Sequence, residues 1–211
     1  VMVTLAPDVV GPADIAELTD MGVVVSIGHS DATAEQTAAA LAAGARAGAH
    51  LFNAMRQMTA RDPGVVGALI GSDATLGLIC DGHHVDDAML ALAIRARPEG
   101  AECFLVSDAM PTVGGPDHFQ LYGDEVRVES GRLINAEGNL AGAHTTMAEG
   151  VARLVGQIGL PLEAALNMAV STPAHLMGLP NLSQLSGRRA ADCAVVSKQG
   201  VFQGWLGTIL L

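Results

Sequence analysis

Four short apolar segments of this sequence each end on a residue suited to metal or acid–base chemistry. These residues are His29 after VVVSIG, His50 after ARAGA, the pair His83 and His84 after LGLICDG, and Asp108 after CFLVS. A parallel α/β barrel directs such residues into one shared site at the C-terminal ends of its strands. Imidazoles can bind Zn²⁺ or Fe²⁺, and a nearby carboxylate can act as a general base. The set is therefore suited to hydrolysis at a metal centre.

Each of these residues also has a purely structural interpretation. A single histidine is more often structural than catalytic, although His29 and His50 at successive strand ends are more informative together than alone. A polar turn before the next helix would explain Asp81 or Asp86, but it requires no histidines. Asp108 could cap a turn, although the Ala-Met-Pro-Thr that follows it is a poor helix start. Both interpretations are open at the level of these patterns.

The elements that must position these residues alternate between strand and helix. Apolar and capping patterns predict strands at 1–5, 23–27, 45–51, 76–80 and 103–106, and helices at 12–21, 33–43 and 86–97. This alternation is typical of right-handed βαβ units, at about 25–30 residues per unit in an eight-stranded barrel. The sequence predicts an α/β fold: a partial (β/α)8 TIM barrel with the last five strands, whose first three should precede Val1.

The pattern changes after the fifth predicted strand. Turn signals at Tyr122-Gly123 and Ser130-Gly131 predict a hairpin excursion over 119–134. Capping boxes, in which two side chains and two backbone amides pair at a helix start, are expected at Thr33 and Thr146. Further helices are predicted at 146–158, at 161–170 and from a capping Thr172, and two final strands near 193–197 and 201–206.

Composition restricts the class of protein. The 211 residues are 50% hydrophobic and 16% charged, which suits a sizeable core. The net charge of −11 disfavours nonspecific binding to nucleic acid or to an anionic membrane, but it allows a small anionic substrate. Cys80, Cys103 and Cys193 lie far apart in apolar segments, which predicts buried free thiols in a reducing cytoplasm. No apolar run has membrane-spanning length.

Eight stretches taken in order resemble a known family. They are VTLAPD, VVVSIGHSDAT, AHLFNAM, ARDPG, DGHHVD, FLVSDAM, NLAGAHTTM and GRRAADCAVV. Together they resemble the N-acetylglucosamine-6-phosphate deacetylase family of the amidohydrolase superfamily over essentially the whole chain. The resemblance implies a metal-dependent barrel over 1–178 and a small β-sandwich domain built from both chain ends, to which 179–211 contributes. It also implies a cytoplasmic homodimer.

The resemblance assigns a role to ten positions. The metal ligands are His29 and His50, the catalytic residue is Asp108, and the substrate-binding residues are Asn53, Ala54, Arg61, His84, Leu140, Ala141 and Gly142. The implied reaction converts N-acetylglucosamine 6-phosphate to glucosamine 6-phosphate and acetate. A metal-bound water would be the nucleophile and Asp108 the general base and then acid. Zn²⁺ is the expected metal, with Fe²⁺ as the alternative.

One family motif is absent from this sequence. The family's carboxylate ligand is a glutamate in an EGP motif on an earlier strand, and EGP does not occur in these 211 residues. A catalytic zinc usually has three protein ligands. We therefore expect the third ligand, a glutamate, to lie upstream, and the 211-residue chain alone to be weakly active or inactive. A smaller difference is His144, where some relatives have serine.

Two other functions fit the same residues. One is a different amidohydrolase-superfamily enzyme that hydrolyses cyclic amides or nucleosides, although the HLFNAM and ARDPG stretches speak against it. The other is a non-catalytic scaffold, a truncated barrel that only binds or dimerises. Substrate tests separate the first alternative, and metal analysis with an Asp108→Asn variant separates the second.

Overall fold

The computed structural model describes residues 1–209, and its centre is a five-stranded parallel sheet. The strands are β1 (Met2–Leu5), β2 (Val24–Ile27), β3 (Ala47–Gly48), β4 (Thr75–Ile79) and β5 (Cys103–Val106). They pair in chain order, each parallel to the next. The prediction of five parallel strands is confirmed. Parallel strands in this order place all five C-terminal ends at one edge of the sheet.

Helices connect these strands. They are α1 (Pro12–Asp20), α2 (Ala34–Ala42), α3 (Gly64–Ile70) and α4 (Asp87–Arg95). The capping box at Thr33 is present, since its hydroxyl accepts from the Gln36 amide at 3.2 Å and the Gln36 side chain accepts from the Thr33 amide at 2.9 Å. Strand residues such as Ile27, Leu76 and Leu78 are fully buried beneath the helices.

The helix α3 was not predicted from the sequence. Its segment, GVVGALI, is apolar throughout and has no capping side chain, so no sequence pattern marks it as a helix. Val65, Val66 and Leu69 are fully buried. The end of this helix is held from a distance. The Arg97 guanidinium donates to the carbonyls of Leu69 at 2.6 Å and Ile70 at 2.8 Å. These bonds satisfy carbonyls that a helix end otherwise leaves unpaired.

The strand β3 is shorter than the predicted 45–51. Only Ala47–Gly48 pairs regularly with both neighbouring strands. Beyond Gly48 the Ala49 amide still donates to the Ile27 carbonyl at 2.9 Å and the Leu51 amide to the Gly77 carbonyl at 2.8 Å, before the chain continues into the loop. A Cβ atom on Gly48 would lie 2.9 Å from side-chain atoms of both Leu69 and Leu76. The absence of a side chain thus lets α3 pack closely on the sheet beneath this loop.

A three-stranded antiparallel meander follows β5. It consists of β6 (His118–Leu121), β7 (Asp124–Glu129) and β8 (Arg132–Ile134). Both predicted turns are confirmed, and all four of their central residues have positive φ, which is the condition for tight hairpin turns of type I′. The chain then returns to the sheet. The Ala143 amide donates to the Asp108 carbonyl at 2.8 Å, in a parallel bridge beside the end of β5.

The predicted helix at 146–158 is confirmed as α5 (Met147–Gly156), with its capping box between Thr146 and Glu149. The next helical stretch differs from the prediction. A π-helical turn, Asn167–Ser171, joins α6 (Leu162–Leu166) to α7 (Thr172–Leu176) without a break. Thr172 does not cap a new helix; its hydroxyl donates to the Glu102 carboxylate at 3.1 Å. The wide turn accommodates Pro173, which has no amide hydrogen to donate.

The final elements are antiparallel β9 (Ala194–Val196) and β10 (Phe202–Trp205), followed by α8 (Leu206–Ile209). The two strands confirm the prediction, whereas a domain boundary at 178/179 stays a prediction. Leu210 and Leu211, which end the predicted 179–211 segment, lie outside the described residues. Among residues 1–209, no helix is both long and apolar enough to cross a membrane.

The prediction of buried thiols is correct for two of the three cysteines. Cys80 and Cys103 are buried, and burial raises the pKa of Cys80 to about 12 and that of Cys103 to about 11. Cys193 is partly exposed, because it directly precedes β9, a short strand in a sheet of only two strands. The two buried thiols stay protonated and unreactive at neutral pH.

Candidate active site

A cavity of about 370 Å³ lies at the C-terminal edge of the parallel sheet. Its lining comes from five loops and from the meander: His29, His50, Asn53, Ala54, His84, Asp108, Met110, Leu121, Leu140, Ala141 and Gly142. Every one of the ten predicted site residues except Arg61 is in this set. The structure thus brings together residues that are up to 113 positions apart, from His29 to Gly142 (142 − 29).

Two imidazole rings meet at the centre of this lining. The Nε2 atoms of His29 and His50 are 3.0 Å apart, and the rings form an edge-to-face pair with centroids 4.8 Å apart. This separation is within hydrogen-bonding distance for one ring nitrogen that donates and one that accepts. Zn–N bonds of about 2.0–2.1 Å would allow two nitrogens at this separation to bind one ion. The pair therefore fits as two ligands of a divalent metal.

The rest of a metal site is not found among residues 1–209. No group of three or more histidine, cysteine, aspartate or glutamate side chains with metal-binding geometry occurs among them. The Nδ1 atom of His50 is also buried with no hydrogen-bond partner in that part of the chain. A metal-bound histidine almost always donates its second ring nitrogen to a carboxylate, carbonyl or water.

The backbone at the site is in an unusual conformation. His29, Ala54 and Asp108 have φ values of 49°, 49° and 51°, in the left-handed region that non-glycine residues seldom occupy. Such residues cost about 1–3 kcal/mol each and persist where the surroundings determine them. Outside the two hairpin turns, this conformation occurs at non-glycine residues only in the loops after β2, β3 and β5 among the described residues.

Asp81 fixes the orientation of His84. Its Oδ2 atom is 2.7 Å from Nδ1 of His84, and its Oδ1 atom accepts from the amides of His83 and His84, both at 2.9 Å. The two paired side chains are 5% and 6% exposed. With Nδ1 bound to Asp81, Nε2 is the ring nitrogen left for the cavity. Asp86 separately caps α4 by accepting from the Ala88 amide at 2.8 Å.

Burial alone would raise the pKa of Asp81. The hydrogen bonds from the His84 ring and from the amides of His84 and His83 together lower that pKa well below its ordinary value. The carboxylate therefore stays charged throughout the neutral and mildly acidic range. The ionised, buried Asp81 carboxylate holds the polar turn together through the amides of His83 and His84. The same carboxylate positions the His84 imidazole.

We expect Asp81→Asn to lower the free energy of unfolding at pH 7 by about 1–3 kcal/mol, the cost of disrupting a buried charged hydrogen-bond acceptor. Because folding lowers the pKa of Asp81, its stabilisation is fully present above an unfolded-state value of about 3.9. It is lost as the pH falls through the folded value. Urea denaturation of wild type and variant at pH 7 and at pH 3 measures the loss of unfolding free energy and its dependence on pH.

The control for this experiment is Asp20→Asn, at the exposed C-terminal end of α1. It should change stability by less than about 0.5 kcal/mol. The difference between wild type and Asp81→Asn should shrink at pH 3. An unchanged difference at the two pH values would show that the charge of Asp81 is not the source of the effect.

Asp108 and Gly142 directly precede the two residues of the parallel bridge after β5, Ala109 and Ala143, and so lie side by side on its two strands. The Asp108 side chain is exposed at the cavity rather than enclosed. Gly142 has φ +89°, and a Cβ atom on it would lie 2.4 Å from Met110 Cγ and 3.3 Å from the Asp108 carbonyl oxygen. Only glycine allows the 140–142 segment to approach the end of β5 this closely.

The loop after His50 contains two arginines, of which Arg61 is the predicted substrate-binding residue. Arg56 is already paired with Asp62, with nitrogen–oxygen distances of 3.0 and 2.7 Å. Arg61 is exposed and outside the cavity lining. Asn53, by contrast, lies at the cavity, and its side-chain amide donates to the carbonyls of His50 and Leu51, both at 3.2 Å. The structure thus brings Asn53, but neither arginine, to the cavity.

Two apolar lining residues and one carboxylate were not identified from the sequence. Met110 and Leu121 complete the cavity wall, and Leu121 reaches it from the end of β6. A single leucine in a hairpin gives no sequence signal of such a role. Asp81 did carry a signal, since an aspartate three residues before a histidine can pair with it in a turn. The sequence pattern by itself predicts only a polar turn or cap at this position.

Comparison with known proteins gives consistent matches. The chain is 38% identical over 209 residues to an N-acetylglucosamine-6-phosphate deacetylase of Vibrio furnissii, covering 97% of this chain and 52% of that protein. It is 36% identical over 214 residues to an N-acetylgalactosamine-6-phosphate deacetylase of Shewanella sp. (strain ANA-3), covering 100% of this chain and 54% of that protein. No protein-family model matches the chain.

Solved structures agree with these relatives. N-acetylglucosamine-6-phosphate deacetylase from Pasteurella multocida superposes with a TM-score of 0.87 at 32% identity, over 95% of this chain and 53% of that one. An Asp-to-Ala variant of the Mycobacterium smegmatis enzyme, solved with N-acetyl-D-glucosamine 6-phosphate, gives 0.86 at 35% identity, over 95% and 54%. The chain spans about half the length of the curated relatives it matches.

Proposed function

We propose that this chain, which is homologous over nearly its whole length to deacetylases of N-acetylated hexosamine 6-phosphates, carries the hydrolytic half of such an enzyme's active site. The proposed reaction releases acetate from N-acetylglucosamine 6-phosphate. The observation that most supports it is one cavity lined by the His29–His50 pair, His84 and Asp108. A divalent metal, Zn²⁺ or Fe²⁺, is part of the proposal.

When bound, the metal would polarise the acetamide carbonyl and make water a stronger nucleophile. His29 and His50 would hold it, together with a carboxylate from outside residues 1–211. Asp108 would take a proton from the attacking water as the new carbon–oxygen bond forms. It would return that proton to the sugar nitrogen as the carbon–nitrogen bond breaks, which leaves acetate and the amine.

The remaining residues would hold the sugar. His84 offers Nε2 to an oxygen of the substrate, because Asp81 occupies its Nδ1. Asn53 and Ala54 would contact the substrate from the loop after β3, and the 140–142 segment would lie along the sugar ring. A phosphate contact from Arg61 also stays a prediction, since the side chain lies outside the cavity lining.

Three broader expectations belong to the same proposal. The five-stranded sheet would be the later part of an eight-stranded barrel, and 179–211 part of a small β-sandwich. The protein would act as a homodimer in the cytoplasm. Within residues 1–209, β1 pairs only with β2, so its other edge is open to a further strand of such a barrel.

The test measures acetate release from N-acetylglucosamine 6-phosphate with added Zn²⁺ or Fe²⁺, with a cyclic amide and a nucleoside as alternative substrates. We expect release only from the phosphosugar, and at a rate far below that of the Vibrio furnissii relative assayed in parallel. A rate equal to that of the relative would contradict the need for a further ligand. Hydrolysis of the cyclic amide or nucleoside instead would contradict the proposed substrate.

N-acetylgalactosamine 6-phosphate is the second candidate substrate. Two relatives that act on it are 36% and 37% identical to this chain, close to the 38% of the first glucosamine enzyme. The two sugars differ only in the configuration at C4, so the same acetamide chemistry serves both. The ratio of their kcat/KM values in the assay above decides which is preferred.

A further inference from the structure

Ser30 follows His29 directly and is 4% exposed. Its hydroxyl donates to Oδ1 of Asp8, in the loop after β1, and accepts from the Ala32 amide at 3.1 Å. A small hydroxyl in this position satisfies its own hydrogen-bonding groups and joins two strand-end loops. The bond to Asp8 therefore ties the loop of β1 to the loop that carries His29.

The backbone of Ser30 is tied to a third loop. Its amide donates to the Ala54 carbonyl at 3.0 Å, and its carbonyl accepts from the Arg56 amide at 2.9 Å. These two bonds form an isolated parallel bridge between Ser30 and Met55. The loop after β3 carries His50, so Ser30 connects the two loops that carry the paired imidazoles.

His29 needs such support because of its conformation. Its φ of 49° is unfavourable for a side chain with a Cβ atom and is held only where neighbouring bonds determine it. On its N-terminal side, the Gly28 amide donates to the Leu5 carbonyl at 3.1 Å. On its C-terminal side, Ser30 makes the bonds just described. His29 is thus fixed between two anchored residues.

We propose that Ser30 and Asp8 are positioning residues that hold the His29 ring against the His50 ring, so that both Nε2 atoms face one point. The inference rests on the proposed function only where that point is taken as a metal site. Without Ser30's hydroxyl or Asp8's carboxylate, the loop after β2 loses its link to the loop after β1. His29 can then relax towards ordinary backbone angles, and the 3.0 Å contact between the rings opens.

The first test uses the metal-free 211-residue chain at one fixed pH. Proton–nitrogen correlation spectra of the histidine rings report the Nε2 environments of His29 and His50. We expect Ser30→Ala and Asp8→Ala to move both ring signals towards those of the exposed His175. Asp8→Asn keeps an oxygen that can accept from Ser30, so its ring signals should stay near the wild-type positions.

The matched control is Ser72→Ala. The Ser72 hydroxyl donates to the Leu69 carbonyl at 2.8 Å and accepts from the Ala74 amide at 3.3 Å, in a turn far along the chain from both rings. Its loss removes the same pattern of one donated and one accepted hydrogen bond, but it should leave the histidine signals in place. Equal spectral changes in both variants would reduce Ser30 to a structural role.

A second measurement adds Zn²⁺ in competition with a chromophoric chelator. We expect Ser30→Ala and Asp8→Ala to bind Zn²⁺ about 10–100-fold more weakly than wild type, as is typical for outer-shell partners of metal ligands. Unchanged ring signals in both variants would overturn the inference. If the signals move but wild type does not bind Zn²⁺, the positioning role stands and the metal part of the proposed function fails. Should Ser30→Ala not fold, Asp8→Ala, which changes an exposed residue, carries the test.

Discussion

Asp108→Asn is expected to slow acetate release from N-acetylglucosamine 6-phosphate by about 10²–10⁴-fold, the usual contribution of a positioned general base. The amide has nearly the same shape as the carboxylate but cannot take the proton from water. Asp108 is exposed at the cavity, and its backbone carbonyl, not its side chain, accepts from Ala143. The substitution should therefore leave the fold and substrate binding intact. Single-turnover rates and phosphosugar binding, measured on the metal-supplemented protein, separate the two effects.

The control for Asp108→Asn is again Asp20→Asn, which removes the same charge far from the site. It should retain the wild-type rate. A loss of less than threefold in Asp108→Asn would rule out the general-base role and favour the non-catalytic scaffold. A matching loss in the control would point to net charge as the cause.

The second large effect concerns the histidine pair. We expect His29→Ala and His50→Ala each to weaken Zn²⁺ binding by at least about 100-fold, beyond the typical loss for outer-shell residues. Each substitution leaves a single imidazole where two nitrogens now lie 3.0 Å apart. Competition with a chromophoric chelator measures the affinity without any need for turnover.

The double variant and an exposed histidine provide the comparison for this result. If both rings serve one ion, as proposed, the double variant should bind Zn²⁺ little more weakly than either single variant. His175→Ala, on the exposed face of α7, should bind like wild type. Equal losses in all three single variants would mean that zinc binds nonspecifically to surface histidines.

The strands were predictable from local sequence features, whereas the meeting of the site residues was predictable from a general rule about parallel strands. Strands such as β2 and β4 were predictable because buried apolar runs and flanking glycines are local features. The meeting of His29 with Asp108 followed from one rule, that parallel strands share a C-terminal edge. The α3 helix could not be predicted because its residues are apolar throughout, so no polar face marks a helical period.

What could not be predicted depends on distant contacts. Leu121 lines the cavity because the meander folds back over the sheet, and no pattern near β6 reveals that. The shortening of β3 depends on where the chain turns towards the site, and the place of Arg61 depends on the course of an irregular loop. The sequence predicts Arg97 as the last residue of a helix, whereas its guanidinium donates to carbonyls at the end of α3.

The left-handed backbone at His29 and Asp108 also bears on evolution. At such a position glycine is the residue that a folded chain tolerates best, so drift under selection for stability alone would tend towards glycine. An imidazole and a carboxylate occupy these two positions instead. Side chains that could serve the proposed metal and acid–base roles are thus kept at two positions where the backbone favours glycine. By the same reasoning, a lineage that lost the activity would be free to accumulate glycine at both positions.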